Sequence, residues 1–203
     1  MKFTLANEIT MLRLILIGPF IYCMLNTASE VNGRFFRFAA FAIFLIMCIS
    51  DYLDGYFARL KHEISPLGTF LDPLADKLLM LTSCILLASE KTAIADFRLP
   101  PVIVVLVIGK DILLLMGLVI VYLNINKVYI VPVHAGKFST FVQLFMVSAI
   151  LLAPEISQAL PFWIYLLRFL WWSVACMAIL ATFVYIRAGI CYIEEFEDAQ
   201  ANM

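Results

Sequence analysis

Apolar residues fall along this chain in long, nearly unbroken runs, and short polar breaks separate them. Each run is close to the roughly 20 residues that a helix needs to cross a bilayer. The pattern predicts six helical spans, from about Ile9 to Asn26, Phe35 to Leu60, Thr69 to Ala88, Pro100 to Leu123, Phe138 to Ala153 and Phe162 to Ile193. The connections are short, so an antiparallel bundle is the economical packing. The expectation is an all-α, polytopic membrane protein, with one domain over residues 1–193 and an acidic tail, EEFEDAQANM, over 194–203 that frays. No small-residue cleavage motif follows the first run, which therefore reads as a retained helix.

Composition agrees with the pattern. Of 203 residues, 64% are hydrophobic and only 14% are charged, with a mean hydropathy of +1.00. A soluble domain carries about a quarter charged residues. The net charge of -1 gives no reason to expect nucleic acid as a partner. The five cysteines lack metal or redox spacing and read as small buried hydrophobes. Lys and Arg in the loops set orientation. With six spans, one side carries Lys2, Arg13, Arg59, Lys61, Lys127, Lys137 and Arg187, and the other carries Arg34, Arg37, Lys91, Arg98 and Arg168. The bias places the first side in the cytoplasm.

One stretch departs from the hydrocarbon pattern. Residues 51–77 read DYLDGYFARLKHEISPLGTFLDPLADK, with carboxylates at Asp51, Asp54, Asp72 and Asp76. Spacings of three and four put each pair on one helical face. A polar break lies between the pairs, so the simplest geometry is two antiparallel helices facing each other with two Asp each. Four converging carboxylates repel unless a cation sits among them, and hard divalent ions suit such oxygen ligands. The structural alternative is a salt-bridge cluster with small residues for helix packing. Four intramembrane acids and one nearby Arg do not balance, which favours function.

Written with gaps, the stretch is D-x2-D-G-x2-A-R-x8-G-x3-D-x3-D, filled by Asp51, Asp54, Gly55, Ala58, Arg59, Gly68, Asp72 and Asp76. It resembles the signature of the CDP-alcohol phosphatidyltransferases at every fixed position. The resemblance implies a six-helix bundle, usually a homodimer, that uses Mg2+ or Mn2+. It also implies transfer of a phosphatidyl group from CDP-diacylglycerol to an alcohol, with release of CMP. Asp51, Asp54 and Asp72 are then the expected metal ligands. Asp76 is a further ligand and the base that takes the proton of the attacking hydroxyl. Gly55 and Ala58 leave room for a nucleotide against the helix. Arg59 offers a planar fork to diphosphate oxygens. Ser65 falls where family members hold phosphates with a hydroxyl, and Gly68 opens a helix whose free N–H groups favour anions.

Weaker matches lie elsewhere. Asn7, Thr10 and Arg13 resemble the N-x2-T-x2-R opening of glycerophosphate- and cardiolipin-type members, and could hold the nucleotide. The bland reading is a helix cap plus a positive-inside arginine. Gly136-Lys137-x2-Thr140-x2-Gln143 resembles a segment of the same two subfamilies. Lys137 would contact a phosphate, with Thr140 and Gln143 along its face; the alternative is an interfacial lysine and two packing residues. Lys110 and Asp111 stand mid-span where glycerophosphate-type members carry Arg-Glu and then a further Arg. That second basic residue is absent here, and the resemblance implies a basic-Asp pair at this place in cardiolipin-type members, so the departure leans partly toward them. Adjacent helical residues face different ways, so Lys110 is expected in a polar cavity and not on Asp111.

The leading expectation is a phosphatidyltransferase of phospholipid synthesis in a bacterial inner membrane or an organelle membrane, active at the cytoplasmic surface. Its acceptor is sn-glycerol 3-phosphate, or alternatively phosphatidylglycerol. A divalent-cation transporter competes from another class, but the far halves of spans two and three carry few polar residues. A degenerate scaffold is a third reading, and the complete motif argues against it.

Overall fold

The structure, a computed structural model, describes the backbone of residues 5–29, 31–61, 66–94, 96–125 and 134–201. Side chains are described for residues 10–29, 31–51, 74–94, 96–116, 136, 138–187 and 189. Seven helices account for the described residues, and no strand occurs among them. They are α1 (Leu5–Leu25), α2 (Gly33–Lys61), α3 (Pro66–Ala88), α4 (Pro101–Ile125), α5 (His134–Leu151), α6 (Ala153–Ala159) and α7 (Trp163–Ala201).

The all-α membrane reading holds. Two of these helices contain stretches long and apolar enough to cross a bilayer among the described residues, Gly33–Asp51 and Trp163–Arg187. Large apolar side chains stand outward on the helices, including Ile15, Val105, Phe141, Phe169, Trp172 and Phe183. Such an exterior suits lipid and not water.

The fifth predicted span differs from expectation. It ends at Leu151, and α6 leaves it at 70°, so that the pair forms one broken apolar element. Pro154 lies in the first turn of α6. A proline has no N–H to continue the ladder, and its ring clashes with the preceding turn, so the chain re-starts in a new direction. The acidic tail that was expected to fray is helical, because α7 runs on through Ala201.

The chain divides into two compact units. One comprises Met1–Pro100 with Leu144–Leu167, and the other Pro101–Gln143 with Arg168–Met203. In the first unit, α1 packs on both α2 and α3. Phe20 of α1 meets Phe44 of α2 with ring centroids 6.1 Å apart, and Met24, Met47, Leu79, Met80 and Leu87 are also buried. The α1–α2 turn is tight. A Cβ at residue 33 would overlap the Thr27 carbonyl, so only glycine fits there. Thr27 Oγ1 donates to the Met24 carbonyl at 2.7 Å and also lies 3.3 Å from the Thr92 carbonyl, which ties this turn to the turn that follows α3. In the second unit, Val174, Ala178 and Ala181 make a buried face of small side chains on α7, the kind that lets membrane helices approach closely.

Candidate active site

Both acid-bearing segments are helical: Asp51 and Asp54 lie on α2, and Asp72 and Asp76 lie near the start of α3. Helix α1 packs on both helices, and its Arg13 reaches the first acid pair. Its Nη1 lies 2.7 Å from Asp51 Oδ1. The guanidinium is 1% exposed, whereas the Asp51 side chain is 49% exposed. A buried arginine thus holds a carboxylate whose other side is open.

Asp76 belongs to the same neighbourhood. The Cys48 thiol, one turn before Asp51 on α2, is within electrostatic reach of Asp76, Asp51 and Arg13 together. Cys48 thus has an acid of each pair, Asp51 and Asp76, in its electrostatic surroundings. Thr10, one turn before Arg13 on α1, is fully buried. Sequence reasoning missed Cys48 as a neighbour of the site. Its spacing of three from Asp51 was the available signal.

Several expected site residues lie outside the described side chains. Asn7 is placed on α1, Asp54, Gly55, Ala58 and Arg59 on α2, Gly68 and Asp72 on α3, and Lys137 on α5, by backbone alone. Ser65 lies outside the described residues altogether. Among the described residues no three His, Cys, Asp or Glu side chains gather as a metal site. Two of the four acids, Asp51 and Asp76, are among them.

The second unit carries the remaining candidates. On α4, Lys110 Nζ lies 3.2 Å from Asp111 Oδ1, with the side chains 2% and 12% exposed. This corrects the expectation that adjacent residues diverge too far to pair. The Cβ vectors do diverge, but the lysine stem is long enough to curl back, and burial makes an unpaired charge costly. On α5, Thr140 Oγ1 donates to the Gly136 carbonyl at 3.2 Å. Gln143 is fully buried; its Nε2 lies 3.4 Å from Ser139 Oγ, while its Oε1 is a buried acceptor without a donor among the described residues.

Tyr185 of α7 is a further residue at this segment that the sequence did not single out. A Cβ at Gly136 would overlap the Tyr185 hydroxyl and stand 2.8 Å from its Cζ. No described glycine has a positive φ. A side chain at 136 would therefore push the end of Tyr185 aside, whereas the backbone conformation there does not call for glycine.

The profile of the CDP-alcohol phosphatidyltransferase family matches residues 3–184. The chain is 35% identical over 157 residues to the CDP-diacylglycerol--glycerol-3-phosphate 3-phosphatidyltransferase of Bacillus subtilis (strain 168), covering 74% of this chain and 77% of that protein. It is 34% identical to the enzyme of the same name from Aquifex aeolicus (strain VF5), over 70% of this chain and 72% of that one. It is also 34% identical to a cardiolipin synthase (CMP-forming) of Oryza sativa subsp. japonica, over 44% of this chain and 28% of that protein.

Proposed function

This chain belongs to the CDP-alcohol phosphatidyltransferase family, and we propose that it transfers the phosphatidyl group of CDP-diacylglycerol to sn-glycerol 3-phosphate. The observation that carries the acceptor is the similarity to the two glycerol-3-phosphate phosphatidyltransferases over about three quarters and 70% of the chain. Family membership supports a membrane-bound phosphatidyltransferase over the transporter reading.

In the proposed reaction, a hydroxyl oxygen of glycerol 3-phosphate attacks the phosphatidyl phosphorus. The bond from that phosphorus to the bridging oxygen of the diphosphate breaks, CMP leaves, and phosphatidylglycerophosphate forms. Asp76 takes the hydroxyl proton. The acids suit Mg2+ or Mn2+: the donors are hard oxygens, and Asp51 is open on one side. Asp51, Asp54, Asp72 and Asp76 would hold the ion, which neutralises charge on the phosphate oxygens when bound.

Arg13 and Arg59 offer guanidinium forks to the diphosphate, with Asn7, Thr10, Ser65 and Gly68 beside the nucleotide. Gly55 and Ala58 give it room. Lys137, Thr140 and Gln143 receive the acceptor phosphate, and the unfilled Gln143 Oε1 supports a hydroxyl donor there. Lys110, neutralised by Asp111, contributes polarity to the same region and not a free charge. Six spans, a homodimer and a cytoplasmic active site complete the reading.

A second acceptor, phosphatidylglycerol, is favoured by the similarity to a cardiolipin synthase and by the basic-Asp pair at Lys110-Asp111. Purified protein supplied with CDP-diacylglycerol and Mg2+, with acceptors added singly, separates the two. CMP release with glycerol 3-phosphate is expected. Release with phosphatidylglycerol alone would overturn the acceptor, and release with neither would overturn the reading.

A further inference from the structure

The buried face of α7 changes character at Tyr185. Val174, Ala178, Ala181 and Tyr185 follow one another at helical spacing, so they lie along one side of the helix. The first three are short and buried. The fourth is a large ring, and it is partly exposed. Its tip rests on the first turn of α5: a Cβ built on Gly136 would lie 1.7 Å from the Tyr185 hydroxyl oxygen, 2.8 Å from Cζ and 3.3 Å from Cε2. The same turn carries acceptor candidates. Lys137 is the next residue in the chain. Thr140, also partly exposed, donates back to the Gly136 carbonyl. We infer that Tyr185 is the end wall of the acceptor-phosphate subsite, and that it makes the enzyme select a phosphate monoester over a phosphodiester. This rests on the proposed role of Lys137 and Thr140, and it goes beyond that role by naming the residue that sets which acceptors fit.

The two candidate acceptors differ at the phosphate itself. Glycerol 3-phosphate ends in its phosphate, so nothing lies beyond the terminal oxygens. The phosphate of phosphatidylglycerol is internal, and a further carbon chain leaves it on the side away from the attacking hydroxyl. A subsite that holds an internal phosphate must keep that exit open. A phenol packed on the backbone beside Lys137 closes it. A wall needs bulk and a fixed place, and any hydrogen bond made by the Tyr185 hydroxyl serves the second need. No side chain lies between the ring tip and the α5 backbone at residue 136, so the ring has no slack in that direction. Close-packed contacts of this kind transmit a clash and do not absorb it. Discrimination by clash separates two ligands that share their favourable contacts, as a monoester and a diester of glycerol do.

The competing explanation is that Tyr185 only packs α7 on α5. A shorter side chain would then weaken turnover alike with every acceptor. The experiment measures CMP release by the purified full chain with CDP-diacylglycerol and Mg2+. The acceptors are glycerol 3-phosphate, phosphatidylglycerol and its deacylated form, glycerophosphoglycerol. The deacylated diester dissolves in water, so it tests the diester without the acyl chains. Wild type is expected to show a kcat/KM for glycerophosphoglycerol about a hundredfold below that for glycerol 3-phosphate. Tyr185→Leu is expected to raise the ratio of diester to monoester kcat/KM about tenfold, and Tyr185→Phe, which keeps the ring, to hold it near the wild-type ratio. Tyr185→Met takes the place of Tyr185→Leu if the latter does not fold. Three results would each overturn the inference and leave the function standing: wild type that uses glycerophosphoglycerol as well as glycerol 3-phosphate, a wild-type ratio in Tyr185→Leu, or an equal rise in Tyr185→Phe. CMP release with phosphatidylglycerol alone would overturn the proposed acceptor and the wall together. No release with any acceptor would sink the functional reading itself.

Discussion

Helix α2 carries an arginine–carboxylate contact at each end, and the two are built differently. Near its start, Arg37 holds Glu155 of α6, and the two side chains are 14% and 23% exposed. Arg34 approaches the same carboxylate oxygen at 3.4 Å from the surface, with its guanidinium 5.8 Å from the Phe38 ring centroid. Near the other end, Arg13 is buried and Asp51 is half open. The first contact is partly buried on both sides and joins α2 to the broken α5–α6 element. The second is closed on one side only. A pair partly buried on both sides suits holding helices together, whereas the second pair leaves half of its carboxylate accessible.

Four changes probe that contrast. At the open end, Asp76→Asn is expected to lower CMP release by about three orders of magnitude, the scale of a lost general base. Its thermal unfolding midpoint should stay near wild type; retained turnover would remove Asp76 from the base role. Chelation of divalent ions is expected to stop turnover and added Mg2+ or Mn2+ to restore it, measured in the same assay. At the closed end, Glu155→Ala leaves the mostly buried Arg37 without this partner and is expected to cost about 3 kcal/mol of stability. The readout is a lowered midpoint of thermal unfolding in detergent, with the KM of the surviving enzyme unchanged; a shift in KM would mean that both ends of α2 serve the site. Arg34→Ala removes only an exposed, longer contact and should change stability by less than about 1 kcal/mol.

Much of this was legible because hydrocarbon surroundings make polar residues conspicuous. Asp51 and Asp76 stood out against apolar runs, and the apolar periodicity placed both on helices. The Arg37–Glu155 contact was not legible, since it joins residues 118 apart and no periodicity encodes it. The bend after Leu151 could have been read from Pro154, but an apolar run on both sides of a proline also suits an unbroken membrane helix. Lys110–Asp111 was misjudged because helical geometry fixes where a side chain begins and not where a flexible one ends. Tyr185 gave no signal at all: what makes room for its ring is the side chain that Gly136 lacks.

The length of α7 has its own consequence. Its 39 residues at about 1.5 Å each make a rod close to twice the roughly 30 Å thickness of the hydrocarbon. Whatever its tilt, several turns must emerge into water as a stiff stalk. Those turns carry Glu194, Glu195, Glu197 and Asp198, so an anionic leaflet pushes the stalk away from itself. A fluorophore placed at Ala201 would thus report a standoff from the lipid surface, not a tether lying upon it.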